Sequence, residues 1–408
     1  MSNEADNKQK PAGSHISLGL LAAVIVSLAV LGSPAQAQTY TLLYNFPGGS
    51  AGLQPDDFVV TSDGSILGEA YYGNCACSLL FNYTGGTEAV LHRFPEPEGY
   101  QAEVPQGLLL SKNGATLYGT TAYGGSHSDA CDPSIGCGIA FAYDLTTSTY
   151  KTVHEFQAGP GDGAGPVGMQ VLDSDRDLYG LTFGGGTNYD GTFYEITAAG
   201  TEKVLYSFGP APDGTQPGWG PVPYGGNYYG VTIGGGANTC YNGGCGTVFK
   251  VTPSGQETVL YNFTGGSDGL NPYELVGDSQ GNMFGLSKTQ DNTTAAIFEI
   301  NSAGDFSIAY NGSYVSQIGF IVIGTDGSLY ASSSGGDVSA CGSNGCGQIL
   351  RLTRSDGNVA VTVLHQFDST DGSILNPFQD LVLHGGTLYG TTNYGGSSND
   401  GVIYTLKP

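Results

Sequence analysis

Four aspartates recur before glycine at a similar place in this chain, and they are its first candidates for chemistry. Carboxylates in pairs can act as general acid and base on a glycan, or they can bind calcium. Asp-Gly is also favourable turn chemistry, and a turn is the preferred interpretation for each of them. No clear calcium site follows, so we expect no cofactor and no metal site. The four are Asp162, Asp213, Asp268 and Asp371.

Aromatic side chains are the second group of candidates. Trp219 is the only tryptophan, and it follows Pro217-Gly218 where most repeats carry a smaller residue. A tryptophan that breaks a repeat can stack on a sugar ring, although packing remains the alternative. Three tyrosines from tyrosine-glycine loops could extend such a surface or pack within their own loops. They are Tyr72, Tyr123 and Tyr394.

The histidines are weaker candidates for chemistry. His127 and Asp129 share a long loop with Tyr123 and form the best catalytic set, but three polar residues in one loop are weak evidence. Three further histidines stand where other repeats carry tyrosine, which favours a packing role. They are His92, His154 and His365.

A repeated tyrosine-glycine motif indicates the elements that must position these residues. Its seven copies begin at Ile66, Leu117, Leu178, Tyr228, Met283, Leu329 and Leu388. Each repeat divides into four alternating segments, A to D, joined by short connections rich in Gly, Asp, Asn and Ser. A β-rich repeat of this length predicts an all-β fold, a seven-bladed β-propeller of four-stranded antiparallel blades.

The two ends of the repeat region predict how the ring closes. The segment TYTLLYNF (39–46) is of D type, whereas the last segment, GVIYTLK (401–407), is of C type. We expect the N-terminal strand to complete the last blade, because closure removes an exposed sheet edge. Residues 38–408 should then form a single domain.

The connections differ between the two faces of the predicted disc. The A-to-B and C-to-D hairpins are tight, whereas the D-to-A and B-to-C connections are longer and carry the candidate residues. Long loops around a propeller axis typically form the binding surface. We therefore expect ligands on the face of the D-to-A and B-to-C loops, the loop-rich face.

All eight cysteines fall between B and C segments, two to a loop. An exported protein favours disulfides, and the pairs belong to different blades, so they cannot converge on one zinc ion. The Cys75–Cys77 bridge is the least certain, because one intervening residue strains the usual Cα separation. The expected pairs are Cys75 with Cys77, Cys131 with Cys137, Cys240 with Cys245, and Cys341 with Cys346.

Residues 1–37 have the features of a signal peptide. Two lysines precede an apolar run from Ile16 to Leu31, and Ala35-Gln36-Ala37 supplies small residues for cleavage. An uncleaved N-terminal anchor is the alternative. The formal charge of −24 repels phosphate backbones and anionic headgroups, so neither nucleic acid nor, after cleavage, a membrane is an expected partner.

The motifs GTLYGTTNYGG (386–396) and GTVFKVTPSGQETVLYNFTGGSDGLNPYELV (246–276), with the cysteine loops, resemble the choice-of-anchor tandem repeat GloVer-containing proteins. This resemblance implies an exported bacterial repeat protein and transfers no catalytic residue. The chain stops at Leu406-Lys407-Pro408 without a sorting tail, which favours a secreted or periplasmic protein.

Two functions fit this sequence. The first is a monomeric binding module for an extracellular glycan or protein. The second is a polysaccharide-degrading enzyme, either a lyase using Tyr and His or a hydrolase using two carboxylates. Neither a phosphate loop nor a GxSxG motif supports nucleotide or serine-hydrolase chemistry.

Overall fold

The computed structural model describes residues 38–72, 77–94, 105–125, 131, 136–173, 177–240, 243–291, 293–312, 314–336, 345–355, 358–373 and 381–408. Within these ranges the chain folds into seven antiparallel sheets, the blades of a β-propeller. The described helices are two single 3-10 turns, Gly49–Ala51 and Val315–Gln317. No helix of the described residues is long and apolar enough to cross a bilayer.

The first strand of the fold, β1 (Thr39–Asn45), joins the last blade, and the following strands build blades 1 to 3 in chain order. Blade 1 contains β2 (Leu53–Val60), β3 (Ile66–Tyr72), β4 (Cys77–Thr84) and β5 (Thr87–Arg93). Blade 2 contains β6 (Pro105–Leu110), β7 (Thr116–Thr121), β8 (Ile139–Asp144) and β9 (Thr149–Glu155). Blade 3 contains β10 (Gly163–Leu172), β11 (Leu178–Gly185), β12 (Thr192–Ile196) and β13 (Glu202–Ser207).

Blade 4 differs because its first strand is split. It contains β14 (Gly214–Pro217), β15 (Val222–Tyr224), β16 (Asn227–Gly235), β17 (Thr247–Val251) and β18 (Glu257–Asn262). Both β14 and β15 pair with β16, so together they occupy the place of one A strand. The interruption covers residues 218–221 and includes Trp219.

Blades 5 to 7 return to the four-stranded pattern. Blade 5 contains β19 (Leu270–Gly277), β20 (Met283–Lys288), β21 (Thr294–Ile300) and β22 (Phe306–Tyr310). Blade 6 contains β23 (Ile318–Ile323), β24 (Leu329–Ser333), β25 (Gln348–Ser355) and β26 (Asn358–Gln366). Blade 7 contains β27 (Leu381–His384), β28 (Thr387–Thr392), β29 (Val402–Lys407) and β1.

The predicted closure is confirmed. β1 pairs antiparallel with β29, from Thr39 opposite Lys407 to Asn45 opposite Val402. The outermost strand of blade 7 therefore comes from the start of the fold, and its other three strands come from the end. The free edge of β29 is covered in this way.

The first strand of each blade lies innermost, because the first strands of successive blades are the ones that approach each other around the ring, as β6 and β10 do. A contact between side chains of blades 4 and 6 crosses the space at the axis. The A strand of every blade therefore faces the axis, and the D strand lies at the rim.

The core lies between the blades and is largely aromatic. Phe263, which follows the D strand of blade 4, packs edge-to-face on Phe298 of blade 5 with ring centroids 5.2 Å apart. Both rings are fully buried. The same contact joins other neighbouring blades, so the repeated aromatics hold adjacent blades together. The equivalent pairs are Phe46–Phe81, Phe94–Phe141, Phe156–Tyr194, Phe208–Phe249 and Phe367–Tyr404.

Disulfides close the loops before two of the C strands. Cys131 bonds to Cys137 and Cys240 bonds to Cys245, with Cα separations of 5.5 and 5.0 Å. Cys77 and Cys346 are also disulfide-bonded, but their expected partners, Cys75 and Cys341, lie outside the described residues. These bonds indicate an oxidising compartment.

Candidate functional site

The loop aspartates are held by their own loops. Asp213 accepts hydrogen bonds from the Tyr206 hydroxyl at 2.8 Å and from the Gly209 and Gly214 amides at 2.9 and 2.7 Å. Asp268 is only 6% exposed. It accepts from the Tyr261 hydroxyl at 3.0 Å and from the Thr264 amide at 2.8 Å. These carboxylates fasten the D-to-A loops to the rim strand.

The other two aspartates meet a histidine instead of a tyrosine. Asp371 lies 2.9 Å from His365 Nε2 and accepts the Asp368 amide hydrogen bond at 2.8 Å. Asp162 lies 3.2 Å from His154 Nε2. The four aspartates therefore occupy four different blade gaps near the rim. The structure does not bring them together as a carboxylate pair.

The three loop tyrosines are half-buried on blades 1, 2 and 7. Tyr72 donates a hydrogen bond to the Phe94 carbonyl at 3.1 Å, and the Arg93 guanidinium lies 4.9 Å from its ring centroid. The Tyr123 carbonyl accepts a bond from Thr121 Oγ1 at 2.5 Å. The backbone of Tyr394 forms a bridge with Ser373. His127 and Asp129 lie outside the described residues.

Trp219 lies part-way along the innermost strand of blade 4, between β14 and β15. The sequence places it at the entrance of the blade, but the strand already begins at Gly214. Its half-buried ring packs edge-to-face on Phe320 of blade 6, with ring centroids 6.2 Å apart. The only tryptophan therefore occupies the axial space between non-adjacent blades.

An apolar cavity of about 440 Å³ opens at the hairpin ends of the innermost strands. Five blades, 2 to 6, contribute to its wall. The lining residues are Leu109, Val171, Leu172, Pro221, Val222, Pro223, Leu275, Val276, Gly277, Val322 and Ile323. A larger polar groove of about 560 Å³ lies between the hairpins of blades 1 and 2 and is lined in part by Asp63, Lys112 and Asn113.

These cavities lie on the hairpin face, for which the sequence predicted only tight turns. Around the axis, the A strands end in aliphatic side chains that line the apolar cavity. The expected binding face remains the loop-rich one, and several of its loops lie outside the described residues.

Blade 1 contains an acidic group that the sequence reasoning missed. Glu69 on β3 is 1% exposed, and neither carboxylate oxygen has a hydrogen-bond partner among the described residues. Burial raises the pKa of Glu69 well above its ordinary value, and the charges of Asp56 and Asp57 raise it further. Those two aspartates lie where the pairing of β2 with β3 is irregular. Glu69 is sealed from solvent, so a glycan cannot contact it in this conformation.

The repeat contained a signal for this residue. At the same position of the motif, blades 2 to 4 carry Thr120, Leu181 and Val231. A carboxylate in place of a small or aliphatic side chain marks a departure from packing.

Two rim glutamates form a second missed group. Glu202 begins β13 and Glu257 begins β18, at the position that Tyr150 occupies in blade 2. Burial, followed by the neighbouring Asp162, raises the pKa of Glu202 to about 9. Burial and the charge of Asp213 raise the pKa of Glu257 to about 7. The available signal was a carboxylate at a position that is aromatic in blades 2, 5 and 7.

Solved structures share this fold at low sequence identity. Virginiamycin B lyase from Staphylococcus aureus superimposes with a TM-score of 0.59 at 13% identity, covering 91% of this chain and 99% of that one. Oligogalacturonate lyase from Vibrio parahaemolyticus gives a TM-score of 0.58 at 13% identity, covering 92% and 94%. At this identity the likeness establishes the propeller fold alone.

Sequence comparison identifies the family. No curated protein matches this chain. The family of the Gloeobacter/Verrucomicrobia repeat matches residues 132–337, about half of the chain. This segment includes complete blades with the tyrosine-glycine motif and the Cys240–Cys245 loop. The chain therefore belongs to the Gloeobacter/Verrucomicrobia repeat family, the GloVer family that its motifs resemble.

Proposed function

We propose that this protein is an exported propeller that binds an extracellular glycan or protein as a recognition module. The observation that carries this proposal is the position of Trp219. It is a half-buried aromatic ring on the innermost strand of blade 4, where the repeat is interrupted. An aromatic side chain on a rigid scaffold is a typical anchor for a ligand, because little conformational entropy is lost on binding.

The arrangement of carboxylates favours binding over hydrolysis. The loop aspartates lie in separate gaps and hold their own loops, and Glu69 is closed to solvent. A glycosidase needs two carboxyl groups about 5 to 10 Å apart on either side of a reachable bond. The four loop aspartates do not form such a pair with one another, because they lie in four different blade gaps.

The test is a glycan array probed with the purified protein, followed by affinity measurements on any hit. Trp219→Ala should weaken the interaction by about 1 to 3 kcal/mol, and Tyr123→Ala should have a smaller effect of the same sign. Ser254→Ala and Ser279→Ala, in hairpin turns, are the matched surface controls and should leave affinity unchanged.

Two outcomes would contradict the proposal. Loss of binding in the serine variants with full binding in Trp219→Ala would place the ligand on the other face. Release of new reducing ends or unsaturated products from a polysaccharide would show that the protein is an enzyme.

A further inference from the structure

Three metal-ligating side chains converge between blades 2 and 3. His154 comes from the rim strand β9, Asp162 from the following D-to-A loop, and Glu202 from the rim strand β13. His154 Nε2 lies 3.2 Å from Asp162 Oδ1 and 3.6 Å from Glu202 Oε2. All three candidate ligand atoms lie within 4.8 Å of one another.

These separations fit a tetrahedral ion. Zinc binds imidazole nitrogen and carboxylate oxygen at about 2.0 to 2.2 Å, so two ligands of a tetrahedral site lie about 3.4 Å apart. The two measured distances from His154 lie on either side of this value. One nitrogen and two oxygens are a ligand set that suits zinc and cobalt.

The other blade gaps serve as an internal comparison. In three of them an aromatic ring stacks on the equivalent histidine or tyrosine. Tyr40 lies 3.9 Å from His365, and Phe306 lies 3.6 Å from Tyr261, centroid to centroid.

Glu202 takes the place of that ring in the gap between blades 2 and 3. Glu257 does the same in the next gap, where its neighbour is Tyr206. Among the described rim histidines, His154 alone faces a glutamate. Aromatic stacking therefore does not account for the His154–Glu202 contact.

The charge balance also favours a cation. The Glu202 side chain is 3% exposed, and the Asp162 side chain is 16% exposed. Glu202 Oε1 accepts a hydrogen bond from the Gly163 amide at 3.3 Å, which holds the carboxylate in place. Two largely buried carboxyl groups face one imidazole, and a divalent ion would bind both in their ionised form.

We propose that His154, Asp162 and Glu202 bind one divalent transition-metal ion, with Zn²⁺ as the best fit, which fastens blade 2 to blade 3. Three protein ligands leave a fourth position for water. This assignment departs from the packing role expected of His154, and it is independent of any ligand bound near Trp219.

The probe is Co²⁺, because tetrahedral cobalt absorbs visible light and Zn²⁺ can displace it. The protein should be untagged, since a polyhistidine tag would itself bind cobalt, and should be dialysed against a chelator first. We expect one equivalent of Co²⁺ to bind with a tetrahedral spectrum, and Zn²⁺ to raise the melting temperature. Addition of chelator should reverse both effects.

Variants locate the ion. Glu202→Gln keeps the side-chain shape. His154→Tyr introduces tyrosine, the residue that blades 3 and 4 carry at the equivalent position as Tyr206 and Tyr261. Each should weaken Co²⁺ binding by about tenfold or more. His365→Tyr is the matched control, because Tyr40 and not a glutamate lies against that histidine, and it should bind as the wild type does. Circular dichroism checks that each variant is folded.

Two results would overturn the site. One is a wild-type protein that binds no stoichiometric Co²⁺ or Zn²⁺, which would leave a histidine bridging two carboxylates. The other is a bound ion whose affinity and spectrum are unchanged in both Glu202→Gln and His154→Tyr. Should one of these variants fail to fold, Asp162→Asn provides the same comparison.

Discussion

Gly246 follows Cys245 and precedes β17, with a φ of +88°. A Cβ atom there would contact the Thr232 carbonyl oxygen and Pro272 Cδ, so an added methyl group meets both backbone strain and a fixed neighbour. We predict that Gly246→Ala destabilises the fold by about 3 kcal/mol or more. Chemical denaturation measures this loss.

Gly243 is the matched control for Gly246. Its φ is +96°, but a Cβ atom would meet nothing within 4 Å. Gly243→Ala should therefore cost only the backbone strain, about 1 to 2 kcal/mol. Equal losses in the two variants would contradict the proposed clash with Thr232.

Glu257 provides a prediction about pH. Its pKa is raised to about 7 by burial and by the charge of Asp213, so the folded protein binds this proton more tightly than the unfolded chain does. Its contribution to stability is therefore complete below the ordinary pKa of 4.5 and is lost as pH rises to about 7. Glu257→Gln cannot ionise, so its melting temperature relative to wild type should increase from pH 5 to pH 8.

Asp144 should behave in the opposite way. Hydrogen bonds from Thr146 and Thr147 hold the pKa of this exposed carboxyl below its ordinary value. Asp144→Asn should therefore lower the melting temperature at neutral pH, and the difference should shrink as pH falls below 4. A Glu257→Gln profile parallel to that of Asp144→Asn would show that burial does not control Glu257.

For single residues, the sequence predicted the role of a side chain better than it predicted which side chains of other blades it contacts. The turn role of Asp213 and Asp268 followed from Asp-Gly chemistry, and their hydrogen bonds agree with it. The convergence of His154 with Glu202 did not follow, because the two residues belong to different blades. A repeat indicates equivalent positions, but it does not by itself show which positions of adjacent repeats meet.

Among the elements, β1 closes the ring, so its removal should lower the stability of the fold. A chain that begins at Pro47 lacks β1, so β29 loses its pairing along six residue pairs, from Thr39–Lys407 to Asn45–Val402. We predict a lower melting temperature and a broader transition than for the chain beginning at Gln38. Calorimetry of the two proteins tests this.

A synthetic peptide with the sequence TYTLLYNF is the control for that truncation. Added in excess, it should restore part of the lost melting temperature, whereas a scrambled peptide should not. An unchanged melting curve for the truncated chain would refute the role of β1 in closing the ring.

Element prediction succeeded where the repeat was regular and failed where it was not. The four-segment pattern predicted the strands of every blade, and the D-type start predicted the pairing of β1 with β29. The split of the first strand of blade 4 was not predicted, because the repeat pattern does not show an interruption within one strand. The irregular pairing at Asp56 and Asp57 was also missed, since alternation alone does not show an extra residue.

For the whole molecule, charge is the dominant feature. A formal charge of −24 in 408 residues causes repulsion across the folded ring, and salt screens it. The screening length falls from about 30 Å at 0.01 M to about 8 Å at 0.15 M ionic strength. We predict that the melting temperature at pH 7 rises over this range of sodium chloride.

The same salt titration at a second pH is the control for this rise in melting temperature. Near the sequence isoelectric point of about 4.2 the net charge vanishes, so the same addition of salt should change the melting temperature little. An equal rise at both pH values would attribute the effect to general salting-out and not to repulsion between carboxylates.

The shared last blade also dictates an order of events during synthesis. The strand Thr39–Asn45 is made early, but its partner Val402–Lys407 is made more than 350 residues later. At about 5 to 20 residues per second this separation lasts roughly 20 to 70 s. Six blades can assemble from neighbouring segments in that interval, whereas the seventh must wait for the final residues. Ring closure is therefore the last step of biogenesis. Premature release of a nascent chain yields an open array whose exposed strand edges favour aggregation.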